Sequence, residues 1–154
     1  MLTPIDVTNY QTKWGNAITD ISQKYLTKQD YMNTALDAIT ELYAYDHDQV
    51  LFKPTKAIEK RFRPTKEDAL CYFVGNEFTE DTGFAINGGK GWSNVLFKNH
   101  NIYIKDDIAI AMGVYTFTCT STKEPIDVEY TMGLKRYDDN LRIFLHHSSI
   151  PYSN

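Results

Sequence analysis

The change of hydrophobic periodicity along the chain constrains its fold more than any other feature. Before residue 45, apolar residues recur at helical spacing, which predicts helices. After Gly91, long segments alternate apolar and polar residues, as β-strands do. Helices followed by a meander of long antiparallel strands predict an α+β fold with the helices on one face of the sheet. We expect a strongly bent sheet wrapped over a long helix, forming a cone with an internal pocket that the last strand lines.

Turn and capping residues place the predicted elements. The first helix has its apolar face at Val7, Tyr10, Trp14, Ile18, Ile21 and Tyr25. The second is predicted to start after Thr27, whose hydroxyl can cap it, and a third covers 69–73 between a Thr65 cap and Gly75. An extended run at 50–52 precedes four strands at 92–98, 108–120, 126–136 and 141–149. Gly113 is predicted to mark a bulge, and 87–91 a flexible loop.

Length and composition set broad limits on the class of protein. The chain has 154 residues, which suits one domain spanning 1–154. A net charge of −4 without a basic stripe argues against nucleic acid or an anionic membrane as the main partner. Cys71 and Cys119 are far apart in sequence, and we expect both to be buried free thiols.

The lengths of the apolar runs and the N-terminal residues bear on targeting. No run approaches the ~20 apolar residues of a membrane-spanning helix. Residues Met1–Pro4 lack the basic and apolar regions of a signal peptide, so we expect a cytoplasmic protein. A chain from which a leader had been removed would have the same sequence.

The last strand carries the most suggestive chemistry, two adjacent histidines followed by two serines. Side chains alternate between the faces of a strand, so His147 and Ser149 are expected on one face, together with Ile143 and Leu145. His146 and Ser148 are then expected on the other face, and a one-residue slip in register would exchange the two sets.

Other chemistries are poorly supported by the sequence. Adjacent histidines on a strand point apart and cannot easily hold one ion, so we predict no metal site and no cofactor. The glycine-rich segment 88–91 lacks the Lys-Ser/Thr ending of a phosphate-binding loop and leads into a strand. A Ser-His-Asp triad lacks both a nucleophile elbow and an assignable carboxylate.

Several motifs together resemble the iota-class carbonic anhydrases. The resemblance covers nearly the whole chain, and the His-His-Ser-Ser ending is its most specific element. It rests on Val50–Ala57, Arg63–Thr65, Tyr72–Gly75, Asp81–Phe84, Trp92–Val95, Ala111–Gly113, Val128–Tyr130 and Leu145–Tyr152. The family is similar to the association domain of calcium/calmodulin-dependent kinase II, within the nuclear-transport-factor-2-like (cystatin-like) superfamily.

The resemblance implies a cone-shaped α+β fold, a homodimer packed through the sheet, and reversible hydration of carbon dioxide to bicarbonate without metal. By motif, the family's site residues correspond to Thr55, Tyr72, His147 and Ser149. His146 and Ser148 are the register alternatives. The kinase association domains end similarly and catalyse nothing, so the matches at 53–55 and 72–75 are what favour an enzyme.

The sequence is consistent with two forms of the mechanism. His147 could act as the base, because its unperturbed pKa lies near neutrality, or it could only orient a hydroxyl relay that passes the proton to bulk water. Two other functions stay open. One is a non-catalytic assembly or small-molecule-binding domain of the same fold. The other is a hydro-lyase or an isomerase similar to ketosteroid isomerase, which needs a carboxylate base in the cavity, and Glu129 is the acid to test.

Overall fold

The computed structural model describes all residues from Met1 to Asn154, with the helices preceding most of the sheet. The helices are α1 (Pro4–Leu26), α2 (Tyr31–Leu42) and α3 (Lys66–Val74), followed by a 3₁₀ segment at Phe84–Gly89. The strands are β1 (Leu51–Lys53), β2 (Trp92–Lys105), β3 (Ile108–Cys119), β4 (Pro125–Tyr137) and β5 (Asn140–Ser149). The predicted α+β class is therefore confirmed.

One five-stranded sheet organises the molecule. Its order is β1-β5-β4-β3-β2, with β2 to β5 forming an antiparallel meander and β1 pairing in parallel with β5. Helix α1 packs across this sheet, because the Trp14 ring contacts the rings of Phe97, Tyr115 and Phe117. No helix is both long and apolar enough to cross a membrane.

Helix ends follow local capping chemistry, with one correction. Helix α1 begins at a capping box in which Thr3 and Asp6 satisfy each other's backbone N–H groups. The predicted Thr27 cap of α2 is wrong: Asp30 caps that helix, and Thr27 instead donates its hydroxyl hydrogen to the Gln23 carbonyl at the end of α1. Thr65 caps α3 as predicted, and Gly75 ends it.

Three register shifts interrupt the pairing of the meander, and the first leaves Ser93 unpaired near the start of β2, between Trp92 and Asn94. On β2, His100 is the extra residue between the partners of Gly113 and Met112, so an irregularity occurs at Gly113 as predicted, but its extra residue lies on β2 and not on β3. This bulge lies inside β2, which continues to Lys105 and not only to residue 98. On β5, Phe144 is the extra residue between Ile143 and Leu145, opposite Leu134 and Gly133 of β4. A bulge bends the strand and offsets its alternation by one residue.

Two smaller regions complete the fold. The segment expected to be a flexible loop is largely the 3₁₀ segment, in which Asn87 and Gly88 have positive φ. Both cysteines are free thiols, Cys71 half-buried and Cys119 buried.

Candidate active site

A small cavity lies between α1, α3 and the inner face of the sheet. The free volume open to the centre of a water-sized sphere is about 10 Å³, close to what one water molecule needs. Its wall is mostly aromatic, with a few hydroxyls and one imidazole. The lining residues are Trp14, Phe52, Pro54, Thr55, Tyr72, Phe73, Phe84, Tyr115, His146 and Ser148.

His146 is the centre of the polar cluster in this cavity. Its Nε2 lies 3.1 Å from the Tyr115 hydroxyl and 3.2 Å from Ser148 Oγ, and these two hydroxyls are hydrogen-bonded to each other. Its Nδ1 lies 2.8 Å from the Tyr43 hydroxyl. Both ring nitrogens of this buried imidazole therefore have partners, as buried polar groups require.

Aromatic packing holds the imidazole in one orientation. Phe52 stacks on the His146 ring with 5.1 Å between ring centroids, and Trp14 contacts it edge-on at 5.6 Å. Burial, together with the nearby His147, lowers the pKa of His146 to about 3. His146 is consequently a neutral imidazole at physiological pH.

Thr55 and Tyr72 reach the same cavity from outside the meander. Thr55 follows Pro54 just after β1, and Tyr72 lies on α3. The Tyr72 hydroxyl oxygen accepts a hydrogen bond from the Lys56 backbone N–H at 3.1 Å, so its own hydrogen is free to point elsewhere. Burial raises the pKa values of Tyr72 and Tyr115, and both phenols stay protonated donors at neutral pH.

A buried ion pair fixes the segment that carries Thr55. Arg63 and Asp81 form two hydrogen bonds of 2.8 and 2.7 Å, and both side chains are almost wholly buried. Glu80 accepts three backbone N–H groups, from residues 58, 59 and 60. The Arg63 guanidinium also lies 5.5 Å from the centre of the Tyr72 ring. The 54–63 segment is thus anchored to Glu80, Asp81 and α3.

The structure brings together Thr55, Tyr72, His146 and Ser148, and it separates them from His147 and Ser149. His146 and Ser148 are buried, whereas His147 is exposed and Ser149 half-buried. The prediction that His147 and Ser149 share a face with the buried Ile143 is wrong.

The bulge at Phe144 is the reason for this error. It adds one residue between Ile143 and His146, so both point inward although they are three positions apart. Of the two registers weighed from the sequence, the structure has the one in which His146 and Ser148 face the pocket.

His147 and Ser149 lie on the outer face of the sheet. They line a shallow depression there with His100, Met112 and Glu129 among its other residues. Glu129 is exposed on this outer face, and no acid lines the inner cavity. An isomerase-like mechanism with Glu129 as the cavity base therefore has no support from the geometry.

Sequence reasoning missed three residues of the site, namely Tyr115, Tyr43 and Trp14. Tyr115 lines the cavity, and Tyr43 lies behind His146, where its hydroxyl also accepts from Trp14 Nε1 at 3.2 Å. One signal was available in the sequence: a tyrosine on the apolar face of a strand or helix needs a partner for its hydroxyl. That signal does not say which partner, because the contacts join residues more than 28 positions apart.

Comparison with known proteins identifies the family to which the chain belongs. The family model described as metal-independent carbonic anhydrase matches residues 5–150. A curated metal-independent carbonic anhydrase of Nostoc sp. (strain PCC 7120 / SAG 25.82 / UTEX 2576) is 39% identical over 156 residues, covering 98% of this chain and 75% of that protein. The chain belongs to the metal-independent carbonic anhydrase family.

Solved structures agree with this assignment. A cyanobacterial iota-carbonic anhydrase, crystallised with bicarbonate, is 37% identical and superposes with a TM-score of 0.93, covering 99% of this chain and 94% of that one. A kinase II association domain from Xanthomonas campestris superposes with a TM-score of 0.69 at 22% identity, covering 100% and 95% of the two chains. That second likeness shows the fold alone. The predicted α+β fold and carbonic anhydrase activity are confirmed.

Proposed function

We propose that this metal-independent carbonic anhydrase is of the iota class and hydrates carbon dioxide in the cavity formed by Thr55, Tyr72, Tyr115, His146 and Ser148. The observation that carries this proposal is the cluster of hydroxyls around a buried imidazole, set in an aromatic wall. A homologue of this fold, 37% identical, was crystallised with bicarbonate. Apolar walls suit carbon dioxide, and hydroxyl donors suit the oxygens of bicarbonate.

Hydroxyl donors address the main electrostatic problem of the reaction. As a water oxygen attacks the carbon, negative charge develops on the carbon dioxide oxygens. Donors already aimed at that position stabilise the charge in a dry site far more than in water. Tyr72 and Ser148 are placed for this role, since Tyr72 accepts from Lys56 N–H and keeps its own hydrogen for the cavity. The free space fits about one water molecule, so we expect lining side chains to move outward when the larger bicarbonate binds.

The proton of the attacking water needs an acceptor. A buried imidazole whose pKa is lowered to about 3 is a weak base, which favours the hydroxyl relay over direct abstraction by histidine. In that relay, the water O–H bond breaks as a neighbouring hydroxyl takes the proton and passes its own onward to solvent. Bicarbonate stays behind, and a solvent base carries the proton away. His146 then orients the hydroxyls and is not itself the base.

The outer face of the sheet is proposed as a homodimer interface. It exposes large apolar side chains from neighbouring strands, among them Leu96, Tyr103 and Met112. Several large apolar side chains exposed on one face favour association through that face. Sedimentation of the wild-type protein and of Met112→Lys tests this: we expect a dimer that dissociates in the variant, and a monomeric wild-type protein would contradict it.

Stopped-flow hydration of carbon dioxide by chelator-treated, metal-free protein tests the proposed site. We expect the treated wild-type protein to retain full activity, and Tyr72→Phe to lose ~10²–10³-fold in kcat, as removal of one oxyanion donor does. Tyr103→Phe, which removes an exposed hydroxyl on the outer face, is the matched control and should retain activity. Full activity in Tyr72→Phe, or activity that returns only when one metal is added back, would contradict the proposal.

A further inference from the structure

Beyond His146 Nδ1, two buried side chains continue the hydrogen-bonded chain. Trp14 Nε1 lies 3.2 Å from the Tyr43 hydroxyl oxygen, which lies 2.8 Å from His146 Nδ1. Trp14, Tyr43 and His146 are each 2% exposed, so bulk water does not compete for these bonds. Tyr43 does not line the cavity and has no direct access to a substrate there.

The directions of these bonds follow from the donors available. An indole N–H can only donate, so the Tyr43 oxygen is the acceptor in its bond with Trp14. The hydrogen of the Tyr43 hydroxyl has one acceptor within hydrogen-bonding distance, namely His146 Nδ1. Tyr43 therefore donates to Nδ1, which must carry no hydrogen. A neutral imidazole then holds its single proton on Nε2, the nitrogen that faces Tyr115 and Ser148.

This tautomer determines how the cavity hydroxyls are oriented. Nε2–H donates toward the Tyr115 and Ser148 oxygens, so neither hydroxyl donates its hydrogen to the imidazole. Because these two hydroxyls bond to each other, one hydrogen is used between them and the other is left for the cavity. In the opposite tautomer, Nε2 would accept and draw that remaining hydrogen away from the substrate.

We propose that Tyr43, held by Trp14, is a positioning residue for the reaction, because it keeps the His146 proton on Nε2. Its effect on catalysis rests on the function proposed above, whereas the position of the proton does not. Partners that fix the tautomer of a metal-bound histidine contribute ~10–100-fold to activity, and we expect the same range for this metal-free imidazole. We therefore expect Tyr43→Phe to lower kcat by ~10–100-fold and to change KM little.

Long-range ¹H–¹⁵N NMR of histidine-labelled protein reads the tautomer directly. We expect His146 of the wild type to show a protonated Nε2 and an unprotonated Nδ1, and Tyr43→Phe to show a mixture of the two tautomers or the reverse one. Tyr10→Phe is the matched control, since it removes an equally buried hydroxyl that bonds to the Leu42 carbonyl instead. A protonated Nδ1 in the wild type, or an unchanged tautomer in Tyr43→Phe, would overturn the proposal.

A double-mutant cycle separates positioning from loss of structure. Glutamine has no tautomers, and its amide nitrogen can take the place of Nε2 as a donor. In a His146→Gln background, Tyr43→Phe should cost less than threefold in kcat, whereas the same change should cost the wild type ~10–100-fold. Equal losses in the two backgrounds would show that Tyr43 only supports the fold. If Tyr72→Phe keeps full activity while the NMR result stands, the proposed function fails and the tautomer assignment does not.

Discussion

Strand β5 carries two His-x-Ser pairs on opposite faces, and their surroundings differ sharply. His146 and Ser148 are buried among aromatic rings, where each polar atom has a fixed partner. His147 and Ser149 lie on the outer face, in a shallow depression beside Met112. The residue types are identical, so the difference in chemistry comes from burial and partners. Burial makes the inner imidazole a neutral hydrogen-bonding group.

The inner face includes Thr55, which the 54–63 segment carries. The largest expected effect comes from breaking the Arg63–Asp81 ion pair that anchors this segment. Asp81→Asn leaves the buried Arg63 charge without its carboxylate. We expect a loss of about 3–5 kcal/mol in the free energy of unfolding, measured by urea denaturation. Glu41→Gln breaks the exposed Lys13–Glu41 pair and serves as the control, with a cost below ~1 kcal/mol. Similar costs for both variants would refute the anchoring role.

The two serines offer the most closely matched pair of substitutions. Ser148→Ala removes a hydroxyl hydrogen-bonded to His146 and Tyr115, and we expect kcat for carbon dioxide hydration to fall ~10²–10³-fold. Ser149→Ala, one position along the strand, should leave kcat within about twofold, since removing a hydroxyl outside the site changes no donor there. If the losses were reversed, the outer face would be the catalytic one.

The bulge at Phe144 determines which side chains of β5 face inward, and a side chain added beside it tests how tightly it is packed. Gly133 lies opposite the bulge, and a Cβ added there would approach Leu145 Cβ to 2.9 Å and the Phe144 ring to 3.0 Å. Gly133→Ala should therefore reduce the free energy of unfolding by about 1–3 kcal/mol through overpacking. Chemical denaturation checks this. An unchanged midpoint would mean that the bulge accommodates a side chain freely.

The pH dependence of stability gives the smallest expected effect. The pKa of His146 is lowered to about 3 in the fold, against ~6.5 in an unfolded chain. Between these values the unfolded chain binds the extra proton, so stability falls as the pH falls below ~6.5, by about 1.4 kcal/mol at pH 5.5 relative to pH 8.

Two variants distinguish the histidines in this experiment. His146→Gln should remove this part of the pH dependence from thermal or urea unfolding curves, because it removes the titrating group. His147→Gln should retain it. If the pH dependence disappears with His147→Gln and persists with His146→Gln, its assignment to His146 is wrong.

Most of the architecture follows from local patterns in the sequence. Helical spacing, the Thr65 cap and the alternation after Gly91 predict the element order and the α+β class. The family motifs also indicate Thr55, Tyr72 and the terminal strand, which the structure brings to one cavity. The catalytic role of each of these residues stays a prediction.

Two features could not be obtained from local patterns. The inward face of β5 depends on the bulge at Phe144, which arises where Gly133 of β4 leaves room, and simple alternation gave the opposite face. The partners of His146 come from α1, from the residue after α2 and from β3, so only tertiary packing brings Trp14, Tyr43 and Tyr115 together.

The claim that the inner face of β5 carries the reaction is tested most directly by a crystal structure of this protein with bicarbonate. We predict ordered bicarbonate in the aromatic-walled cavity, within hydrogen-bonding distance of Thr55, Tyr72 and Ser148. Lining side chains such as Phe52 or Phe84 should be displaced outward to admit it. Bicarbonate bound instead beside His147 and Ser149, with the inner cavity unchanged, would contradict the account.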